Sequence, residues 1–369
     1  MRDGLRFRAR GPALTLVLAM AVAVALAGCA GRTTATTSPS PGTSASAGGV
    51  KVDRIAVVTP EKANDFGWNQ QGVAGAEAAA ASVGAECIVQ DGAGYGDITP
   101  ILNQLAGAGP QLILAWASGY NTVAPQVARQ TGIATVIVGA GGDSANIPGL
   151  VNDLETDAQN GAYLAGILAA RMCRTGVVAI VVSAEDENWT KMSGGFIGGA
   201  RSVTPHIRIL YAQIGQAGYA DAAGGKRVTA SAIAGGADVI FGMGDGSSFG
   251  MMQACETEPP PAGADKVWFI DVIGDKSALD KKGVYLSSVV WDFTPVDEQA
   301  IAEVEAGTFG RATYRLDLDN GIKLLRTSYI PAAVWAEIET ARKGILDGSI
   351  EVPLTTTGKG VKAYLGSGE

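Results

Sequence analysis

A single histidine stands among 369 residues, with only four cysteines and no Cys-x-x-Cys pair or Cys/His cluster. A zinc site is therefore not expected, because a structural zinc needs four such ligands and a catalytic one three. His206 has no serine elbow and no second histidine to complete a triad. Positive charge is scarce as well: 28 lysines and arginines against 36 aspartates and glutamates leave a net charge of −8. That balance argues against nucleic acid or anionic headgroups as partners, since both need clustered cations. Aromatic residues make up only 6% of the chain, so their positions carry information. The uncharged run that opens the chain, Ala13 to Leu26, is about 14 residues long and falls short of a membrane span. What is plentiful is small and apolar, with 51 glycines and a hydrophobic content of 47%. Such a composition describes a globular protein, and its length exceeds one compact core.

Arg2, Arg6, Arg8 and Arg10 precede that apolar run, and Leu26-Ala27-Gly28-Cys29 ends it. Signal peptidases need small residues at the cleaved bond, and a cysteine there supplies a thiol for lipid attachment. The arrangement resembles the lipobox of bacterial lipoproteins. Residues 1–28 are expected to be a signal peptide, and 29–50 the lipidated Cys29 with a flexible Ser/Thr/Pro-rich tether. The chain would then sit on the extracytoplasmic face of the cell membrane. Cleavage removes four arginines and Asp3, taking the net charge from −8 to −11. Cys87, Cys173 and Cys255 remain and allow one disulfide at most; which of them pair, if any, stays open.

From Arg54 onward, short apolar runs alternate with helical patterns. RIAVV, ECIVQ, LILAWA, ATVIV, GVVAIVV, RILYAQ, DVIFGM and VWFIDVI are rich in β-branched residues, and each is followed by a polar or Gly-rich turn and a helix-like segment. Continuous apolar strands alternating with helices imply parallel sheets covered on both faces. The strands are too many for one doubly wound sheet. We expect an α/β protein of two such lobes joined by a hinge: 51–156 plus about 291–325 in the first, 157–290 plus about 326–369 in the second. The segment YRLDLDNGIKLL reads as hairpin-like.

In open parallel sheets, ligands bind beyond the carboxyl ends of the strands. Asp65, Phe66, Trp68 and Asn69 follow the first strand, and Trp116, Ser118, Tyr120 and Asn121 follow the third. Trp189 lies after GVVAIVVS, Asp245 and Phe249 after DVIFGMG, Asp271 and Asp275 in and after VWFIDVIG, and Trp291 at the end of YLSSVVW. All but the Asp271–Asp275 loop carry a ring, despite the low aromatic content. Rings on opposed loops can sandwich a flat ligand while amides and carboxylates read its edges. Strand-end aromatics also cap sheet cores, and Asn69 and Asp97 are also plausible helix caps by residue type. Glu185-Asp186-Glu187 reads as a solvated loop. GMGDG and GAGYG lack the G-x-G-x-x-G spacing after a first strand, so no nucleotide cofactor is expected.

Four stretches carry a family resemblance: DFGWNQ (65–70) with its G-x-x-G-A-E helix, NGAYLAG (160–166), GGFIGGARSVTP (194–205) and GMGDGSS (242–248). Together with the leader they resemble the basic-membrane-protein family, the substrate-binding lipoproteins of ABC importers, purine nucleoside receptors among them. The resemblance implies a two-lobed, hinged periplasmic-binding-protein fold, with an ABC permease and ATPase as partners. It implies that Asp65 and Asn69 bond the ligand, that Trp68 replaces a base-stacking Phe, and that Asn121 lies near a base-reading Asp. The chain departs from the family at two places: Ile273 falls in register with a carboxylate, and Trp291 with a lysine, both of the ribose grip. The expectation is a non-enzymatic solute receptor for a small planar molecule, nucleoside-like or nucleobase-like, held between the lobes. A lipoprotein serving a membrane sensor, a receptor for a sugar or other small ring compound, and a hydrolase using Asp65 or Asp245 as base stay open as alternatives.

Overall fold

A computed structural model of the chain describes residues 49–216 and 218–366. The leader, Cys29 and nearly all of the tether lie outside the described residues. Among the described residues no helix is long and apolar enough to cross a membrane.

The apolar runs form strands and the segments after them form helices. In the first lobe these are β1 (Arg54–Val58), α1 (Trp68–Val83), β2 (Glu86–Gln90), α2 (Thr99–Gly107), β3 (Leu112–Ala115), α3 (Ala124–Thr131), β4 (Ala134–Val138) and β5 (Val151–Thr156). The chain then crosses to α4 (Ala158–Met172), β6 (Val177–Val182), α5 (Glu187–Val203), β7 (Arg208–Gln213), α6 (Ala222–Ala234), β8 (Val239–Met243), α7 (Ser247–Thr257), β9 (Trp268–Ile273) and β10 (Tyr285–Trp291). It ends with α8 (Thr294–Ala306), β11 (Tyr314–Leu316), β12 (Ile322–Leu324), α9 (Ala332–Leu346) and α10 (Gly358–Gly366).

Two six-stranded sheets result, ordered β11-β5-β4-β3-β1-β2 and β12-β10-β9-β8-β6-β7. Every pairing is parallel except β12 against β10. β4 and β8 are buried at every residue because helices cover both faces, while edge strand β2 is half open. Each sheet reverses its winding beside its first strand, and such a switch point opens a crevice at the strands' carboxyl ends.

The chain passes between the sheets three times: from β5 into α4, from β10 into α8, and from β11 into β12. The last passage corrects the hairpin expected at 314–325. β11 joins β5 in one sheet and β12 joins β10 in the other, so the two strands never pair. The turn between them is held by Asp317, whose carbonyl accepts from Asn320, Gly321 and Ile322. Ile322–Leu324, expected with the first lobe, therefore lies in the second sheet.

Gly166 of NGAYLAG and Gly195 and Gly199 of GGFIGGA bring α4 against α5. A Cβ at Gly199 would lie 1.9 Å from the Tyr163 carbonyl, and one at Gly195 2.1 Å from that of Gln159. Cys87, Cys173 and Cys255 are unpaired thiols. Burial pushes Cys87 up to about 12 and Cys173 up to about 11.

Candidate functional site

The head of α1 is built by Asp65. Its Oδ1 accepts from the N–H groups of Gly67 and Gln70, and its Oδ2 from the N–H and Nδ2 of Asn69. Asn69 Oδ1 accepts from Glu61 N–H. Both side chains are thus engaged in shaping the loop, which sets Trp68 as the first residue of the helix. The Trp68 Nε1–H donates to the Trp116 carbonyl at 2.9 Å, and its ring stacks on Trp116 at 5.4 Å. Phe293 and Trp291 meet Trp68 edge-on at 5.5 and 6.1 Å. Rings that leave β1, β3 and β10 therefore form one cluster where the lobes join.

The lobes touch across the crevice. Trp68 N–H, at the positive end of α1, donates to Asp245 Oδ1 at 3.0 Å. Phe66 meets Phe249 edge-to-face at 6.1 Å. Its carbonyl lies so near Gly274 that an added Cβ there would sit 2.0 Å away. Phe66 (φ 50°) and Ile273 (φ 66°) are the non-glycine residues with left-handed backbone among those described, and they flank this contact. For a β-branched residue such as Ile273 that conformation is strained. Ile273 lines the cavity between the lobes.

Between the lobes lies a cavity of about 130 Å³. Of the residues singled out in the sequence, Trp68, Ser118, Trp189, Asp245 and Trp291 line it. Trp189 ties its Nε1 to Ser183 at 3.0 Å, whereas the buried Nε1 of Trp291 has no partner. The other candidates stand behind or beside the wall. Trp116 and Tyr120 are fully buried, and Tyr120 OH donates to the Gly94 carbonyl. Asn121 donates to the Val138 carbonyl. Asp271 accepts from Ser248 at 2.9 Å and pairs with the fully buried Lys276 at 2.7 Å. Asp275 is exposed and holds the turn at Ser277.

The cavity also takes residues passed over in the sequence. Asp186, read there as part of a solvated trio, caps α5 by accepting from Asn188 N–H, and receives the Tyr219 hydroxyl at 3.0 Å. Burial raises its carboxyl above the usual range. Glu185 and Glu187 remain exposed. Asn188 accepts from Thr156 Oγ1 at 2.7 Å, tying the end of β5 to α5. Tyr95, Glu155 and Tyr219 complete the polar lining. The signal for Asp186 was its place one residue before a helix that starts beyond a strand end. Asp245 is pushed up to about 7, first by burial and then by the charge of Asp65.

The family model described as ABC transporter substrate-binding protein, PnrA-like, matches residues 52–354. The chain belongs to the Bmp family. Members are solute-binding proteins of ABC transporters and not enzymes, which places this Bmp chain outside the cytoplasm with a small molecule and transporter subunits as partners. It is similar to the "ABC transporter nucleoside-binding protein BmpA" of Lactococcus lactis subsp. cremoris, 26% identical over 84% of this chain and 91% of that protein. In fold it is similar to an ABC transporter solute-binding protein of Aeropyrum pernix K1, with TM-score 0.70 and 16% identity over 86% of this chain and 98% of that one. One from Conexibacter woesei gives TM-score 0.65 and 18% identity over 82% of this chain and 98% of that one.

Proposed function

We propose that this substrate-binding protein captures a small planar solute, a nucleobase or nucleoside-like ring, and delivers it to its ABC permease while tethered to the membrane through lipid on Cys29. The observation that supports this most is the convergence of Trp68, Trp189 and Trp291 on one cavity closed by contacts between the lobes. The nucleoside-binding relative from L. lactis points the same way. A cavity of about 130 Å³ suits one flat ring system, being close to the 150 Å³ that holds a benzene. Ile273 and Trp291 stand where a ribose-gripping pair is expected, which favours the base over the whole nucleoside. Closure is driven by a ligand that meets both lobes only when they approach, and water excluded from the cleft strengthens each hydrogen bond.

Thermal-shift screening with nucleobases, nucleosides, sugars and amino acids tests the reading. A ligand at a hundredfold excess over Kd adds about 2.7 kcal/mol of stability. The expected result is a shift with flat heterocycles; a shift with sugars or amino acids alone overturns it. For the anchor, Cys29→Ser is expected to release the protein from the membrane fraction.

A further inference from the structure

Negative charge gathers at the cavity wall, and the cations that answer part of it stand outside that wall. Asp186, Asp245 and Glu155 line the cavity, and among the described residues no lysine, arginine or histidine does. Glu155 has a counter-ion in Lys191, 3.6 Å away, which Glu187 shares at 2.8 Å. Lys276 acts on Asp245 only from a distance, its Nζ being held by Asp271. Asp245 is 6% exposed, and only its Oδ1 has a protein partner, the Trp68 N–H. Tyr219 feels Asp186 and Asp245 together, and its hydroxyl is already given to Asp186. The buried, unpartnered Trp291 Nε1 belongs to the same wall.

An anionic ring entering here would meet like charge inside a dry cleft. A neutral ring would leave Asp245 desolvated, with one oxygen unanswered. A cation would answer it, and indole faces add their own attraction for positive charge. Resting on the reading of a flat solute in this cleft, we propose that the solute carries a cationic nitrogen, received by Asp245 and Asp186 beside the indoles of Trp68, Trp189 and Trp291. This is a charge selectivity, separate from recognition of a planar shape.

Three single-ring probes of nearly one shape separate the two: nicotinate, nicotinamide and 1-methylnicotinamide, which are anionic, neutral and cationic. Calorimetric titration of the purified chain at pH 8 is expected to give the cation at least about tenfold tighter binding than the neutral ring, and no heat with nicotinate. Burial lifts Asp245 to about 7, with Asp65, Glu61 and Lys276 acting on it and Tyr95 and Tyr219 feeling its charge. The complex with a neutral ring keeps that proton below pH 7 and the complex with a cation does not. The cation-over-neutral ratio is therefore expected to grow about thirtyfold from pH 5.5 to 8. In Asp245→Asn that pH dependence disappears and the ratio narrows to less than about threefold; Asp186→Asn narrows it in part. A neutral ring that binds as tightly as the cation, or an unchanged ratio in a folded Asp245→Asn, overturns the charge selectivity while leaving planar recognition standing. Silence from all three probes at millimolar concentration overturns both.

Discussion

Asp65 answers four donors at the head of α1 with two oxygens, so its effect on the cleft is exerted through geometry. Removing a cap of this kind costs about 2 kcal/mol, the upper end for such caps. Asp65→Ala is expected to lower the melting temperature by several degrees and to weaken ligand binding, because Trp68 loses its fixed start; calorimetry with and without ligand reads both. Trp68 stands in two roles, lining the cavity and bonding Trp116. Trp68→Ala is therefore expected to abolish the ligand-induced shift and also to cost the unliganded fold about 2–3 kcal/mol, from the lost indole hydrogen bond and stacking. A melt unchanged by the substitution would show that the stacked pair is not formed. The side-chain types at strand ends were visible in the sequence, but which of Asp65, Asn69, Tyr120 and Asn121 turn inward to bond backbone was not. That depends on where neighbouring N–H and C=O groups fall once the loop closes.

At the scale of elements, the α4–α5 contact stands out because helix backbones approach through Gly166, Gly195 and Gly199. Gly199→Val forces the helices apart, and overpacking of this kind costs about 1–3 kcal/mol. A fall in the urea midpoint with an unchanged slope would show a native state weakened without a change in the surface it buries. Eight apolar runs were legible as strands because β-branched residues between glycine-rich turns have few other stable forms. β11 and β12 were legible as short strands, but their partners were not. Each has three residues with the same buried-exposed-buried pattern, and nothing local tells a hairpin from two strands going to different sheets. The free edges of β5 and β10 decided it.

For the whole molecule, closure buries Asp245 against α1. Burial and the charge of Asp65 raise that carboxyl from its usual 3.8 to about 7 in this closed arrangement, and a form opened far enough to solvate it is expected to return it toward the usual value. The closed form thus holds the proton more tightly. Its advantage is full below about pH 4 and is lost as the pH rises through about 7. Small-angle scattering of the unliganded chain is expected to show a more compact particle at pH 5 than at pH 8, with Asp245→Asn removing the difference. A radius indifferent to pH in the unsubstituted chain would mean that the Trp68–Asp245 bond does not govern closure.

By itself, the sequence determined that two parallel-sheet lobes would form, because alternating apolar strands and small-residue helices can be buried only in that layering, and it placed rings and carboxylates at the strand ends. Only the tertiary structure decided which of these meet. Trp68 and Asp245 are separated by 177 residues yet share a hydrogen bond. Such a contact depends on the angle between two lobes, which no local pattern encodes. The same angle turns scattered acidic residues into one cavity wall, and burial there gives their charge its effect.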